Sequence, residues 1–227
     1  MEESINLKII GHLHSDFPEK FGIPRQSGLV EELRSKIIFL PKYRTADAFR
    51  GLEGYSHIWI LWQFSKSEDK QAVTVRPPRL GGNRRMGVFA TRSPYRPNPI
   101  GLSAVKLEKI EYTEKYGPVL YVLGADILDG TPIIDIKPYL PYTDSRPDAA
   151  GGFAHEKLDY KLKVVFENGC DKKVPEQHLT ALIKVLQQDP RPSYQNDPSR
   201  IYGMDFAGFK IKFRVEEDTL TVVNISL

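Results

Sequence analysis

Six arginines crowd into residues 76–96 (Arg76, Arg79, Arg84, Arg85, Arg92 and Arg96), with no lysine and no acid among them. A guanidinium at every cationic position suits planar, bidentate recognition of phosphate or carboxylate. The chain carries 32 basic and 29 acidic residues, so outside this window the acids are in excess. The last part of the window reads Gly-Val-Phe-Ala-Thr-Arg-Ser-Pro-Tyr-Arg-Pro-Asn over residues 87–98. Pro94, Pro97 and Pro99 fix backbone angles there and remove amide donors, so Arg92, Arg96 and Asn98 are held at small entropy cost. A second group, Asp126-Ile127-Leu128-Asp129-Gly130, offers carboxylates in a turn. Together the two groups could take a zwitterionic ligand, Arg meeting its carboxylate and Asp its cationic part. A solvated Pro-rich loop and an Asp-stabilised turn are the structural alternatives, and residue type alone does not choose between them.

Other residues with chemical potential are scattered. His57 follows a Gly54-Tyr55-Ser56 turn and reads either as a structural histidine or as an acid–base group. His12 and His14 would share one face of a strand but have no further metal ligands nearby. The arginines at 76–85 flank Gly81-Gly82, where glycine permits close backbone approach by a ligand. Near the C-terminus, Asp189-Pro190-Arg191-Pro192 and Arg200-Ile201-Tyr202-Gly203-Met204 interleave bases with aromatics. That pattern suits contact with RNA backbone and stacking on bases, or equally the core of a small domain. No Walker lysine motif and no strand-linked G-x-G-x-x-G occur, so no P-loop or Rossmann site is visible. The single cysteine, Cys170, excludes an intrachain disulfide, and no Cys/His group has zinc spacing.

The elements that must position these groups are mostly strands. Short β-branched and aromatic runs at residues 6–10, 36–40, 57–64, 86–90, 103–111, 119–125 and 133–136 alternate with Gly/Pro turns. Thr45 is placed to cap a brief helix that Gly51 ends. Almost no helical periodicity precedes residue 140, which points to a β-barrel or sandwich. Residues 138–152, rich in Pro, Asp, Ala and Gly, mark a boundary between a first domain over 1–145 and a smaller α+β domain over 155–227. In the second, Leu179, Leu182, Ile183 and Leu186 recur with helical spacing over 175–188, and Asp189-Pro190 stops the helix. Strands are expected at 158–166, and a terminal hairpin at 209–215 and 220–225. The apolar block at 58–62 is far too short to span a bilayer. The acidic start, Met1-Glu2-Glu3-Ser4, is unlike a signal peptide. A cytoplasmic setting is expected.

Several blocks resemble the TsaA-like or TrmO family of S-adenosylmethionine-dependent tRNA (adenine-N6)-methyltransferases. They are Pro24-Arg25-Gln26, Arg50-Gly51-Leu52-Glu53, Ser56-His57, residues 75–83, residues 87–98, Asp129-Gly130-Thr131-Pro132 and residues 135–139, with Asp189-Pro190-Arg191-Pro192 and Tyr202-Gly203-Met204 resembling the second domain of bacterial members. The resemblance implies a mainly β fold, an antiparallel β-barrel followed by a small α+β domain. It also implies a homodimer, with the cofactor near the subunit interface and tRNA as substrate. The reaction implied is methylation of N6 of the threonylcarbamoyladenosine just 3′ of the anticodon of threonine tRNA. Carried onto this chain, the cofactor contacts would be Asp16, Phe17, Pro18, Ser56, His57, Gly82, Arg92 and the turn Asp126, Ile127, Leu128, Asp129, Gly130. The loop at 14–18 reads His-Ser-Asp-Phe-Pro where members often have Arg-Ser-Pro-Tyr.

In-line attack by N6 needs an acceptor for its proton, with Asp126, Asp129 and His57 as candidates. The residues expected on the substrate side are Gln26, Arg76, Arg79, Arg84, Arg96, Asn98, Lys137, Arg191 and Arg200. No metal is expected. Two other classes share parts of this pattern: a non-catalytic RNA-binding module, and an enzyme that acts on a small anionic metabolite through the Arg/Asp site.

Overall fold

In the computed structural model, residues 3–67, 71–77, 84–155, 160–192, 195 and 197–227 are described. Six strands close into a barrel: β1 (Gly11–His14), β2 (Arg34–Phe39), β3 (His57–Gln63), β6 (Ile100–Thr113), β7 (Gly117–Leu123) and β8 (Thr131–Pro138). Their order around the barrel is β1-β2-β7-β6-β3-β8, and every pairing is antiparallel. Alternation builds the interior. In β3 the side chains of Ile58, Ile60 and Trp62 point inward and are buried, and they meet Leu13, Ile37, Leu120, Val122, Ile127 and Ile133 from the other strands.

A small two-stranded arm, β4 (Thr74–Val75) with β5 (Met86–Gly87), precedes a 3-10 turn over Val88–Ala90. Residues 86–90 are therefore a short strand and a turn, not the single strand expected. The helix over Ala46–Phe49 is also 3-10, with no side-chain cap from Thr45, and Gly51 takes a left-handed φ of 86° just beyond it.

The first strand lies later than expected. Ile5, Leu7 and Ile9 alternate like a strand but are exposed; backbone pairing starts with Ile10, bonded to Ile133 and Leu40, and the strand proper begins at Gly11, opposite Phe39 and Ile133. Gly11 is required at that start: a Cβ there would come within 2.6 Å of the Ile38 carbonyl oxygen.

The C-terminal unit is a four-stranded sheet in the order β10 (Tyr202–Phe206), β11 (Phe209–Glu216), β12 (Thr219–Ser226) and β9 (Lys163–Phe166). Helix α2 (Glu176–Gln187) buries Ala181, Leu182, Val185 and Leu186 within this unit's core. That core reaches back into the first third of the chain, since Phe17, Val30 and Leu33 are buried in it, and Phe21 and Ile23 pack against it. Phe17 meets Phe206 edge-on at 5.3 Å. A short helix, α1 (Pro141–Asp144), follows β8 and is tied to the barrel by Trp59, whose indole donates to Asp144 at 2.8 Å.

Candidate active site

One cavity of about 600 Å³ opens at the Gln63 end of β3. Its floor is apolar: Trp62 and Phe64 from β3 and its extension, with Ile100, Gly101 and Leu102 from the start of β6. One side is the loop over 91–99. Three of its residues are proline, so hydroxyls hold its shape in place of the missing amide donors. Thr91 Oγ1 donates to Val88 O at 2.8 Å, while the amides of Ser93 and Tyr95 donate to Thr91 Oγ1 and Ser93 Oγ. The other side is Pro24-Arg25-Gln26 and the turn after β7, which contributes Asp126 and Leu128.

The polar groups converge on this cavity. The Arg92 guanidinium donates to the Gln26 amide oxygen, and Arg96 donates to Thr91 O at 3.2 Å. Asp126 is reached from the barrel interior, where the Ser103 hydroxyl donates to its Oδ1 at 2.6 Å. Burial pushes the Asp126 carboxyl above the usual carboxylate range. The Ser103 donation opposes that rise, as do its own backbone amide, the nearby Arg92 charge and the Ser27 amide. Lys20 and Lys66 add positive charge to the lining, and Lys20 donates to the Lys66 carbonyl.

The structure brings some of the sequence-selected residues together and separates others. Gln26, Arg92, Arg96, Asp126 and Leu128 line the cavity. Asn98 is exposed beside it on the same loop, and its carbonyl accepts from Ile100. Asp129 turns away: its carboxylate meets His14 Nδ1 at 3.2 Å and the Ser15 amide at 3.1 Å. Ile127 is fully buried in the barrel core, and Gly130, with φ of 73°, closes the turn. Ser56 and His57, joined by a 2.9 Å hydrogen bond, stand at the start of β3. Six residue steps, about 20 Å of strand, separate them from the cavity. Lys137 is at that far end too, opposite Trp59 and paired with Asp135 at 3.0 Å.

The loop at 16–18 is occupied otherwise than expected. Asp16 Oδ2 lies 3.3 Å from His178 Nδ1 on α2, Phe17 is in the second core, and Pro18 is exposed. Burial raises the Asp16 carboxyl, His178 opposes the rise, and Asp129 adds to it. Arg191 is buried and makes a two-point ion pair with Asp189 at 2.8 and 2.9 Å, so it is not presented to a substrate. The aromatics Tyr202 and Phe206 are likewise core side chains of β10, while exposed Arg200 stacks over Tyr202 at 5.4 Å. Arg76 and Arg84 are exposed on the arm. Arg79 and Gly82 lie outside the described residues. Among the described residues no group of His, Cys, Asp and Glu could hold a metal ion, and no helix is long and apolar enough to cross a membrane.

Sequence reasoning missed Trp62, Phe64, Lys66, Leu102 and Ser103. All but Lys66 belong to strands or strand ends, and only the barrel's closure shows which end of each strand is open.

Residues 12–145 match the family model for the tRNA-methyltransferase O N-terminal domain, and residues 159–227 match that for the TrmO C-terminal domain. The chain belongs to the tRNA-methyltransferase O family. A tRNA (adenine(37)-N6)-methyltransferase of Escherichia coli K12 is 42% identical over 223 residues, 94% of each chain. A putative S-adenosylmethionine-dependent methyltransferase, RcsF, of Pseudomonas aeruginosa is 44% identical over 205 residues, 86% of each chain. The crystal structure of TrmO from Pseudomonas aeruginosa superposes with a TM-score of 0.80 at 33% identity, covering 99% of this chain and 100% of that one. The mainly β barrel architecture is thus that of the TrmO family.

Proposed function

We infer that this TrmO-family chain is an S-adenosylmethionine-dependent tRNA methyltransferase acting on N6 of adenine 37, the purine just 3′ of the anticodon. The observation that carries the site assignment is the cavity itself, whose lining holds half-buried Asp126 and the guanidinium of Arg92 together with an aromatic floor. Its volume falls in the usual range for small-molecule sites. Trp62, Phe64 and Leu102 offer apolar surface for a purine, and Arg92 is placed to take a carboxylate by exchanging its Gln26 partner. The donor fits this set of residues.

When bound, S-adenosylmethionine supplies an electrophilic methyl: its carbon–sulfur bond breaks with the electron pair passing to sulfur, and the N6 lone pair forms the new carbon–nitrogen bond. The protein's part is placement and proton removal. Asp126 accepts the N6 proton; of the three candidates it alone lines the cavity. His57 is at the opposite end of β3, and Asp129 is engaged by His14 and Ser15. Ser56, His57, Lys137, Asp16, Phe17 and Arg191 have no place in this assignment.

The finer reading follows the cations. Arg96, in the same lining, pairs with the threonyl carboxylate of a threonylcarbamoyl-modified adenosine in threonine tRNA, and the exposed arginines of the arm contact its backbone. Tyr95 and Leu102 in the lining and Phe89 before it are large apolar side chains left exposed. They support a homodimer in which a second copy closes the site, in the cytoplasm where tRNA is used. Calorimetric titration with S-adenosylmethionine tests the site. Wild type and His57→Ala are expected to bind alike, and Arg92→Ala to bind weakly. Equal binding by the Arg92 variant, or loss in the His57 variant, would move the donor elsewhere.

A further inference from the structure

Behind the cavity wall a short polar chain runs through the barrel from Trp62 to Asp126 by way of Ser103. The Trp62 indole N–H donates to Ser103 Oγ at 3.0 Å, and the Ser103 hydroxyl donates to Asp126 Oδ1 at 2.6 Å. Both inner members are withdrawn from water, Ser103 at 1% and Trp62 at 7% exposure. A serine hydroxyl has one proton to give. With the indole N–H directed at its oxygen, that proton has one direction left, toward the carboxylate. The backbone of β6 is shaped to admit the indole: a Cβ on Gly101 would lie 2.2 Å from Trp62 Cε2. Three neighbouring positions (Trp62 on β3, Gly101 and Ser103 on β6) are therefore committed to one hydrogen-bond direction.

We propose that Trp62 and Ser103 are positioning residues that act through Asp126, the indole N–H fixing the serine hydroxyl so that its proton holds the carboxylate ionised and oriented to accept the N6 proton. This rests on Asp126 being the proton acceptor of the methyl transfer. The other groups facing Asp126 are Arg92, the Ser27 amide and its own amide, all favouring the ionised form, against burial, which opposes it. Gln26, Lys66 and Arg96 share the cavity. Low local dielectric makes each link stronger than it would be in water, and makes a missing link costly.

The chain has two tryptophans, Trp59 and Trp62, so the nitrogen-15 spectrum of the ligand-free full chain carries two assignable indole N–H signals. The Trp62 signal is expected to move with pH at the same midpoint as the Asp126 carboxyl carbon, and to stop moving in Asp126→Asn. In Ser103→Ala the carboxyl midpoint is expected to rise and its coupling to the indole to vanish. Ser103→Thr, which keeps the hydroxyl, is expected to restore both. Trp62→Phe keeps the ring and removes the N–H, giving a second route to the same upward shift if Ser103→Ala folds poorly. In methyl-transfer assays the ascending limb of the pH–rate profile should move to higher pH in Ser103→Ala and Trp62→Phe, with affinity for S-adenosylmethionine retained in Ser103→Ala, whose side chain is outside the cavity lining. A Trp62 signal indifferent to Asp126, or an unmoved carboxyl midpoint in both variants, overturns the proposal. Absence of methyl transfer by a wild type whose indole does titrate with Asp126 overturns the enzymatic reading instead.

Discussion

Arg92 and His57 make the sharpest contrast between single residues. Both carry nitrogen donors, both were candidates for the same site, and they occupy different ends of the barrel. Arg92 is exposed apart from its bond to Gln26, so its removal should leave folding alone. A hydrogen bond to a charged partner contributes about 1.5–3 kcal/mol, hence Arg92→Ala should weaken S-adenosylmethionine binding by roughly tenfold to a hundredfold in calorimetry. Asp126 makes a prediction of a different kind. Its folded-state titration is raised by burial, so the folded protein holds that proton more tightly than the unfolded chain. The stabilisation is complete below the unfolded carboxylate range and is lost as pH rises through the folded midpoint. Melting temperature followed against pH should therefore fall over that interval in wild type, and fall less in Asp126→Asn.

Among elements, β3 and β6 decide where chemistry can happen. Their inward faces are apolar, and their open end carries Trp62, Phe64, Gly101 and Leu102 into the cavity wall. Gly101→Ala is a concise test of that arrangement. The added methyl meets the indole at 2.2 Å and must displace it, taking the indole N–H away from Ser103. Overpacking of this kind costs about 1–3 kcal/mol, so a lowered melting temperature and a shifted Trp62 indole signal are expected together.

Much of this architecture was legible beforehand. The β3 run is free of Gly and Pro and rich in Ile and Trp, and the β6 and β7 runs carry Val, Leu and Ile at recurring positions between Gly/Pro turns, patterns with few alternatives. Ile5, Leu7 and Ile9 alternate as a strand does, which puts the first strand too early in the pattern; only the backbone partners of Ile10 and Gly11 reveal where pairing starts. Strand β10 was hidden for the opposite reason. Its aromatics sit beside arginines, a combination that reads equally as RNA contact or as core, and Tyr202, Met204 and Phe206 prove to be core.

At the scale of the molecule, the two units are fastened by a segment that belongs to the first in sequence and to the second in packing. Phe17, Val30 and Leu33 lie in the C-terminal core, and Asp16 faces His178. The Asp129 amide donates to Phe17 O at 2.9 Å, and the Ala207 amide to Asp16 O at 2.9 Å, so the same segment joins the turn after Asp126 to β10. No local pattern could show this, because its partners, from Asp129 to Ala207, are distant in the sequence. Phe17→Ala removes a fully buried ring and should cost about 3–5 kcal/mol. Thermal unfolding should register the loss, with the cavity residues unchanged in identity but less well held. For the arginine window, the charge and the stiff loop are readable in the sequence; the fold adds Asp126 to the same cavity lining, puts His57 and Lys137 toward the other end of β3, and pairs Arg191 with Asp189.

Methylation of N6 of adenine 37 in tRNA by this chain is open to a direct assay. The purified protein is incubated with isotopically labelled S-adenosylmethionine and with tRNA from cells that lack this methylation, and the digested nucleosides are analysed by mass spectrometry. One labelled methyl group should appear on threonylcarbamoyladenosine, and none should appear with Asp126→Asn. Unmodified nucleosides after incubation with wild-type protein that demonstrably binds S-adenosylmethionine would contradict the account.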